Sequence, residues 1–117
     1  MKIMLKRAYE APAAADGKRV LVDRLWPRGV SKDEARIDEW LKEVGPSNEL
    51  RKWFGHEPAK FEEFRSRYRK ELEGSAAWEE LKALARHGKL TLVYSARDEQ
   101  HNNAVVLKQM LEEQGGA

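Results

Sequence analysis

The chain has 117 residues, of which 41% are hydrophobic and 36% charged, and its 22 basic and 20 acidic side chains leave a net charge of only +2 at pH 7. That length suits a single domain with one core and is too short for a cofactor domain beside a substrate domain, while the near-balanced charge argues against a dedicated nucleic-acid binder. Cysteine is absent, which excludes disulfides, thiolate nucleophiles and thiolate metal sites and suits a reducing compartment.

Residues 2 to 9, KIMLKRAY, alternate Ile3, Leu5, Arg7 and Tyr9 on one face and read as a strand. EAPAAADG, 10 to 17, is a loop ending in an Asp-Gly turn signal. Residues 18 to 24, KRVLVDR, carry the continuous aliphatic run of a strand buried on both faces, as in the centre of a parallel sheet. Ser31 and Glu34 form an S-x-x-E capping box, and Ile37, Trp40, Leu41 and Val44 follow at helical spacing, which predicts an amphipathic helix of about three turns closed by Gly45-Pro46. Ser47 caps a short helix bearing Leu50, Trp53 and Phe54 and ending at Gly55. Pro58 opens a third, with Phe61, Phe64, Tyr68 and Leu72 on one stripe as far as Gly74, and Ser75 caps a fourth that buries Trp78, Leu81, Leu84 and Ala85 before Gly88. LTLVYSA, 90 to 96, is a third strand, and the last helix buries Leu107, Met110 and Leu111 and closes at Gly115-Gly116. The reading is an α/β domain spanning 1–117: a small three-stranded, mostly parallel sheet packed with about five helices. The first strand, joined to the second by only about eight residues, is open to either direction.

The N-terminal MKIMLKRAYE is charged and lacks an apolar stretch, and no window approaches ~18 apolar residues, so neither a signal peptide nor a membrane span is expected and a cytoplasmic location is. In open α/β sheets, ligands bind beyond the carboxyl ends of the strands. If the strands at 18 to 24 and 90 to 96 are parallel neighbours, DRLWPRG and SARDEQHNN meet at that end. Arg24, Arg28 and Arg97, with the N-terminus of the last helix, then supply what a phosphate or carboxylate needs. Asp23, Asp98 and His101 could move a proton or orient water, the equipment of hydrolysis or group transfer, and Ser95, Asn102 and Asn103 could position the reacting group. Each has a structural alternative: Asp23 and Arg24 as ion-pair partners at a strand end, Asp98 as a helix cap, the asparagines as turn formers, Trp26 as a packing residue rather than a wall for a ring. His56 sits at a helix-to-helix corner. No paired-ligand spacing suggests a metal, no glycine-rich loop suggests a nucleotide cofactor, and the basic run RSRYRK, 65 to 70, reads as the solvent face of a helix.

The stretches VLVDRLWPRGVSK, IDEWLKEVGPSNELRKWFGHEPAKFEEFRSRY and LTLVYSARDEQHNNAVVL resemble, over nearly the whole chain, the YeaO-like branch of the bacterial family called domain of unknown function 488. The resemblance singles out Asp23, Arg24, Trp26, Pro27, Arg28 and Gly29, then Trp53, Gly55 and His56, then Tyr94, Ala96, Asp98, His101, Asn102 and Asn103. It implies a fold and a site rather than an activity. Members of the wider family often carry a Cys-His-Arg cluster near the second loop, whereas this chain has a histidine and asparagines there and no cysteine, so a thiol mechanism does not transfer. The expected ligand is an anionic small molecule, phosphate- or nucleotide-like, held by Arg24, Arg28 and Arg97, with Asp98 or Asp23 as acid or base and His101, Asn102 and Asn103 orienting the reacting group, so that Arg24, Arg28, Asp98 and His101 share one pocket. The alternatives are a ligand-sensing module without turnover and a nucleic-acid or protein-interaction domain; the oligomeric state is left open.

Overall fold

The computed structural model describes residues 2–115, so the predicted stop at Gly116 lies outside the described residues. Four parallel strands, β1 (Ile3–Arg7), β2 (Lys18–Leu21), β3 (Glu39–Trp40) and β4 (Leu90–Tyr94), form one sheet in the order β1-β4-β2-β3. The helices are α1 (Lys32–Ala35), α2 (Asn48–Phe54), α3 (Phe61–Leu72), α4 (Ala76–Arg86) and α5 (Asn103–Gly115). The Cα radius of gyration, 13.4 Å, is what a compact chain of this length should have, about 13 Å.

The sheet has four strands rather than the expected three, because the predicted helix from 31 to 44 does not form as one element. The capping box works as expected: Ser31 Oγ accepts the Glu34 N–H at 3.1 Å and Glu34 accepts that of Ser31 at 3.1 Å. It supports only one turn, closed by Arg36 in a left-handed conformation (φ 47°, ψ 47°). The apolar stripe then divides across the sheet. Ile37 and Trp40 pack with Leu21, Val93 and Trp26 on one face, whereas Leu41 and Val44 enter the main core on the other. A single helix cannot serve both faces, and the edge of β2 needs a partner for its backbone N–H and C=O groups. Glu39 and Trp40 pair with Val20 and Leu21 to provide it.

β2 and β4 are parallel neighbours in the sheet interior, as the site prediction required. β1 pairs with β4 rather than with β2, also in parallel. All five residues of β4 are buried. Leu90, Leu92 and Tyr94 join Val20, Val22 and Ile3 on the main face, against Phe64, Tyr68, Leu72, Leu81, Leu107 and Leu111. Each such side chain contributes about 1.5–3 kcal/mol on burial. The caps of the later helices match the sequence: Ser47 Oγ accepts from Leu50 N–H and Ser75 Oγ from Trp78 N–H, each at 3.1 Å, and Gly55 closes α2 with φ 54°. Leu84 is only partly buried.

The opposite face holds a buried ionic cluster that the sequence did not announce. Asp16 accepts from Arg19 Nη1 at 2.7 Å, Lys6 Nζ at 3.1 Å and the Ala13 N–H at 3.0 Å. Arg19 also donates to the Ala35 carbonyl from Nη2 at 2.8 Å and from Nε at 3.1 Å, tying α1 to β2. Burial alone would raise the Asp16 pKa, but the Ala13, Lys6 and Arg19 hydrogen bonds outweigh it and hold the carboxyl below its usual range.

Candidate functional site

The two loops leave β2 and β4 at the same end of the sheet, and Asp23 joins them. Its Oδ2 accepts the Ser95 N–H at 2.9 Å and the Ser95 hydroxyl at 2.8 Å, and its Oδ1 accepts from Asn103 Nδ2 at 3.1 Å. Asn103 Nδ2 donates its second hydrogen to the Val22 carbonyl at 3.0 Å, anchoring the first turn of α5 to the end of β2. Arg7 fixes the second loop from below, with Nε donating to the Ala96 carbonyl at 2.8 Å. The convergence of DRLWPRG and SARDEQHNN is therefore direct contact.

Beside this junction lies a cleft of about 140 Å³, lined by Asp23, Arg24, Leu25, Pro46, Arg51, Phe54, His56, Phe64, Ser95, Ala96, Asn102 and Asn103. Arg24 reaches it while donating Nε to the Pro46 carbonyl at 2.8 Å and pairing with Glu43 at 3.4 Å. Gly45 allows that approach, since a Cβ there would stand 3.0 Å from Arg24 Cγ and from Arg24 N. His56 follows the left-handed Gly55 with a left-handed backbone of its own (φ 59°), an uncommon state for a non-glycine residue. Phe54 and Phe64 stack with centroids 4.3 Å apart.

The cleft thus gathers Asp23, Arg24, His56, Ser95, Asn102 and Asn103 from the predicted set, but the expected pocket of Arg24, Arg28, Asp98 and His101 does not form: of these four only Arg24 lines it. Arg28 and Arg97 are exposed outside the lining. Trp26 packs edge-on against Trp40 at 5.3 Å and donates Nε1 to the Val30 carbonyl at 2.6 Å, and Tyr94 belongs to the core. Asp98 organises its own loop. It accepts the N–H groups of Gln100 (2.9 Å) and His101 (3.0 Å) and meets His101 Nδ1 at 2.9 Å, contacts that hold its pKa below the usual carboxylate range, the Gln100 bond foremost. The cap of α5 is Asn102 rather than Asp98: Asn102 Oδ1 accepts the Val105 N–H at 3.0 Å while its Nδ2 donates to the Asp98 carbonyl at 2.8 Å.

Sequence reasoning missed Arg51, and it read Tyr68 only as part of the buried stripe of α3. Arg51 stands three residues before Phe54 on α2, a spacing that puts both on one side of the helix, and its Nε is buried with no acceptor among the described residues. Tyr68 is fully buried and donates its hydroxyl to the Val44 carbonyl at 2.5 Å. Burial, reinforced by the negative charge of Asp23, pushes that hydroxyl well above the ordinary tyrosine range. Among the described residues no group of three or more His, Cys, Asp or Glu side chains is placed to hold a metal ion, and no helix is long and apolar enough to cross a membrane. Within the basic run, Arg65, Arg67 and Arg69 pair with Glu62, Glu63 and Glu113.

Residues 2–116 match the family model DUF488-N3i, described as the inactive DUF488-N3 subclade. The chain belongs to this family. Among its relatives, an uncharacterized protein of Mycobacterium tuberculosis (strain H37Rv) is 46% identical over 110 residues, covering 94% of this chain and 93% of that protein. An uncharacterized protein of Mycobacterium bovis shows the same identity and coverage. The uncharacterized protein YeaO of Escherichia coli (strain K12) is 44% identical over 112 residues, covering 95% and 97% of the two chains. No solved structure matches the chain. The DUF488-N3i match and the YeaO likeness agree with the resemblance read from the motifs.

Proposed function

We propose that this DUF488-N3i chain is a binding domain without turnover, which holds a small anionic molecule in the cleft between the two loops. The carrying observation is how the polar groups of the lining divide. Arg24, Arg51 and His56 line the cleft, while the one carboxylate there, Asp23, is engaged by Ser95 and Asn103. A general base must reach the proton it abstracts, and Asp23 is committed to holding the loops together. Asp98 and His101, the other candidate acid and base, stand outside the lining and pair with each other. The description of the subclade as inactive supports the same reading. The paired arginines of α3 disfavour a nucleic-acid partner, and the lack of cysteine suits a cytoplasmic setting.

The test is a two-dimensional NMR titration of the full chain with acetate, benzoate, inorganic phosphate and cytidine monophosphate. Saturable shifts at residues 23–25, 45–56 and 95–103, with no chemical change in the added anion, are expected. If none of the four gives saturable shifts there, the reading is overturned.

A further inference from the structure

We infer that the ligand class of this cleft is a single flat ring bearing a carboxylate, in preference to a phosphate or a nucleotide. This deepens the proposed function and rests on it.

Size comes first. The cleft measures about 140 Å³, whereas pockets that enclose drug-sized ligands measure about 300–1,000 Å³. An apolar cavity of about 150 Å³ is known to hold one benzene molecule. A base with its sugar and phosphate would leave most of its surface outside.

The lining is the second consideration. Leu25, Pro46, Phe54, Phe64 and Ala96 supply apolar and aromatic surface, which rewards a desolvated ring and gives a bare phosphate nothing. The charged side chains are arginines, and a guanidinium offers paired N–H groups in the plane of a carboxylate. Arg51 is the better placed of the two to change partners. Its Nε has no acceptor among the described residues, and its Nη2 donates to Asn48 Oδ1 at 3.1 Å. Turning that guanidinium onto a carboxylate costs no bond at Nε and relieves a buried donor that is otherwise unsatisfied. Arg24, by contrast, is already held by the Pro46 carbonyl.

Charge sign gives the third. Asp23 lines the same cleft, with its carboxylate engaged by Ser95 and Asn103. A ligand carrying two negative charges meets more repulsion from it than a monoanion does.

The experiment is calorimetric and NMR titration of the full chain with benzoate, nicotinate, benzamide, acetate, phosphate and cytidine monophosphate, repeated on Arg51→Met. Arg51 is partly exposed on α2, and its substitution leaves the Ser47 cap and the Phe54 packing in place. Benzoate or nicotinate should bind at least about tenfold tighter than acetate, phosphate, benzamide or the nucleotide, and R51M should weaken the ring carboxylates about tenfold with its unfolding midpoint not lowered. If acetate, phosphate or the nucleotide binds as tightly as benzoate, the ring-carboxylate class is overturned while anion binding at the cleft stands. If R51M binds benzoate like the wild type, the role of Arg51 is overturned. If no anion binds, both this inference and the proposed function fall.

Discussion

Replacing Asp23 by alanine removes one carboxylate and strands three donors: the Ser95 N–H and hydroxyl, at 2.9 and 2.8 Å, and one hydrogen of Asn103 Nδ2, at 3.1 Å. Hydrogen bonds to a charged acceptor contribute about 1.5–3 kcal/mol each when buried. Asp23 and Ser95 are only half-buried, so water can replace part of each bond, and Asn103 keeps its contact with the Val22 carbonyl. The expected loss is therefore about 2–4 kcal/mol rather than the full sum. For a chain of this size that lowers the unfolding midpoint by roughly 10–15 °C. Asp23→Asn keeps one acceptor oxygen and should lose about half as much. Urea unfolding followed by far-ultraviolet circular dichroism measures the effect, with an unchanged denaturant slope indicating that the compactness of the two states is the same. Amide exchange at Ser95 should quicken in D23A more than exchange within β1. A D23A chain within about 0.5 kcal/mol of wild type would refute the assignment of Asp23 as the joint between the loops.

Other expectations concern the buried charges and backbone contacts. Asp16 is held below its usual pKa by the Ala13, Lys6 and Arg19 hydrogen bonds, which overcome the opposing effect of burial. Its stabilisation is thus present above about pH 4 and lost as pH falls through the lowered value. Asp16→Asn, which leaves Arg19 buried without a countercharge, should cost about 3–5 kcal/mol at pH 7 and flatten the acid limb of a stability–pH curve. Tyr68 is raised by burial and by Asp23, so the folded chain keeps a proton that the unfolded chain gives up near pH 10. Stability is then intact below about pH 10 and falls above it, and Tyr68→Phe should lessen that fall in alkaline unfolding curves while costing about 1 kcal/mol at neutral pH through the lost bond to Val44. Gly17→Ala places a Cβ 2.6 Å from the Lys89 carbonyl oxygen at φ +65°, and should cost about 2–4 kcal/mol in the same assay.

The parts of the fold legible in the sequence are those set by local chemistry. Ser47 and Ser75 cap because a hydroxyl can take up a free helical N–H, and the stripe Phe61, Phe64, Tyr68, Leu72 is buried because its spacing matches one helical face. β4 is apolar along its whole length, as a strand covered on both faces must be. What was not legible depends on partners distant in the chain. Ile37, Trp40, Leu41 and Val44 satisfy a helical period, yet the open edge of β2 claims Trp40 for pairing and the two faces of the sheet divide the rest. Arg19 and Asp16 look like solvent-facing charges until the loop before β2 folds over them, and Arg51 looks like an ordinary helix surface residue until Phe54 and Phe64 form a wall beside it.

The convergence of the two loops was visible in the sequence, but the bonds that join them were not. Ser95 and Asn103, read from the sequence as able to position a reacting group, donate instead to Asp23. The chain's own carboxylate takes up these donors, which makes the junction of the two loops a structural joint and sets Asp23 in the cleft wall. The side chains that the proposed anion would meet are Arg51 on α2, Arg24 from the loop after β2, held by the Pro46 carbonyl, and His56 just after α2. A change at Asp23 therefore acts on the joint between the loops as well as on the cleft, since the same carboxylate belongs to both.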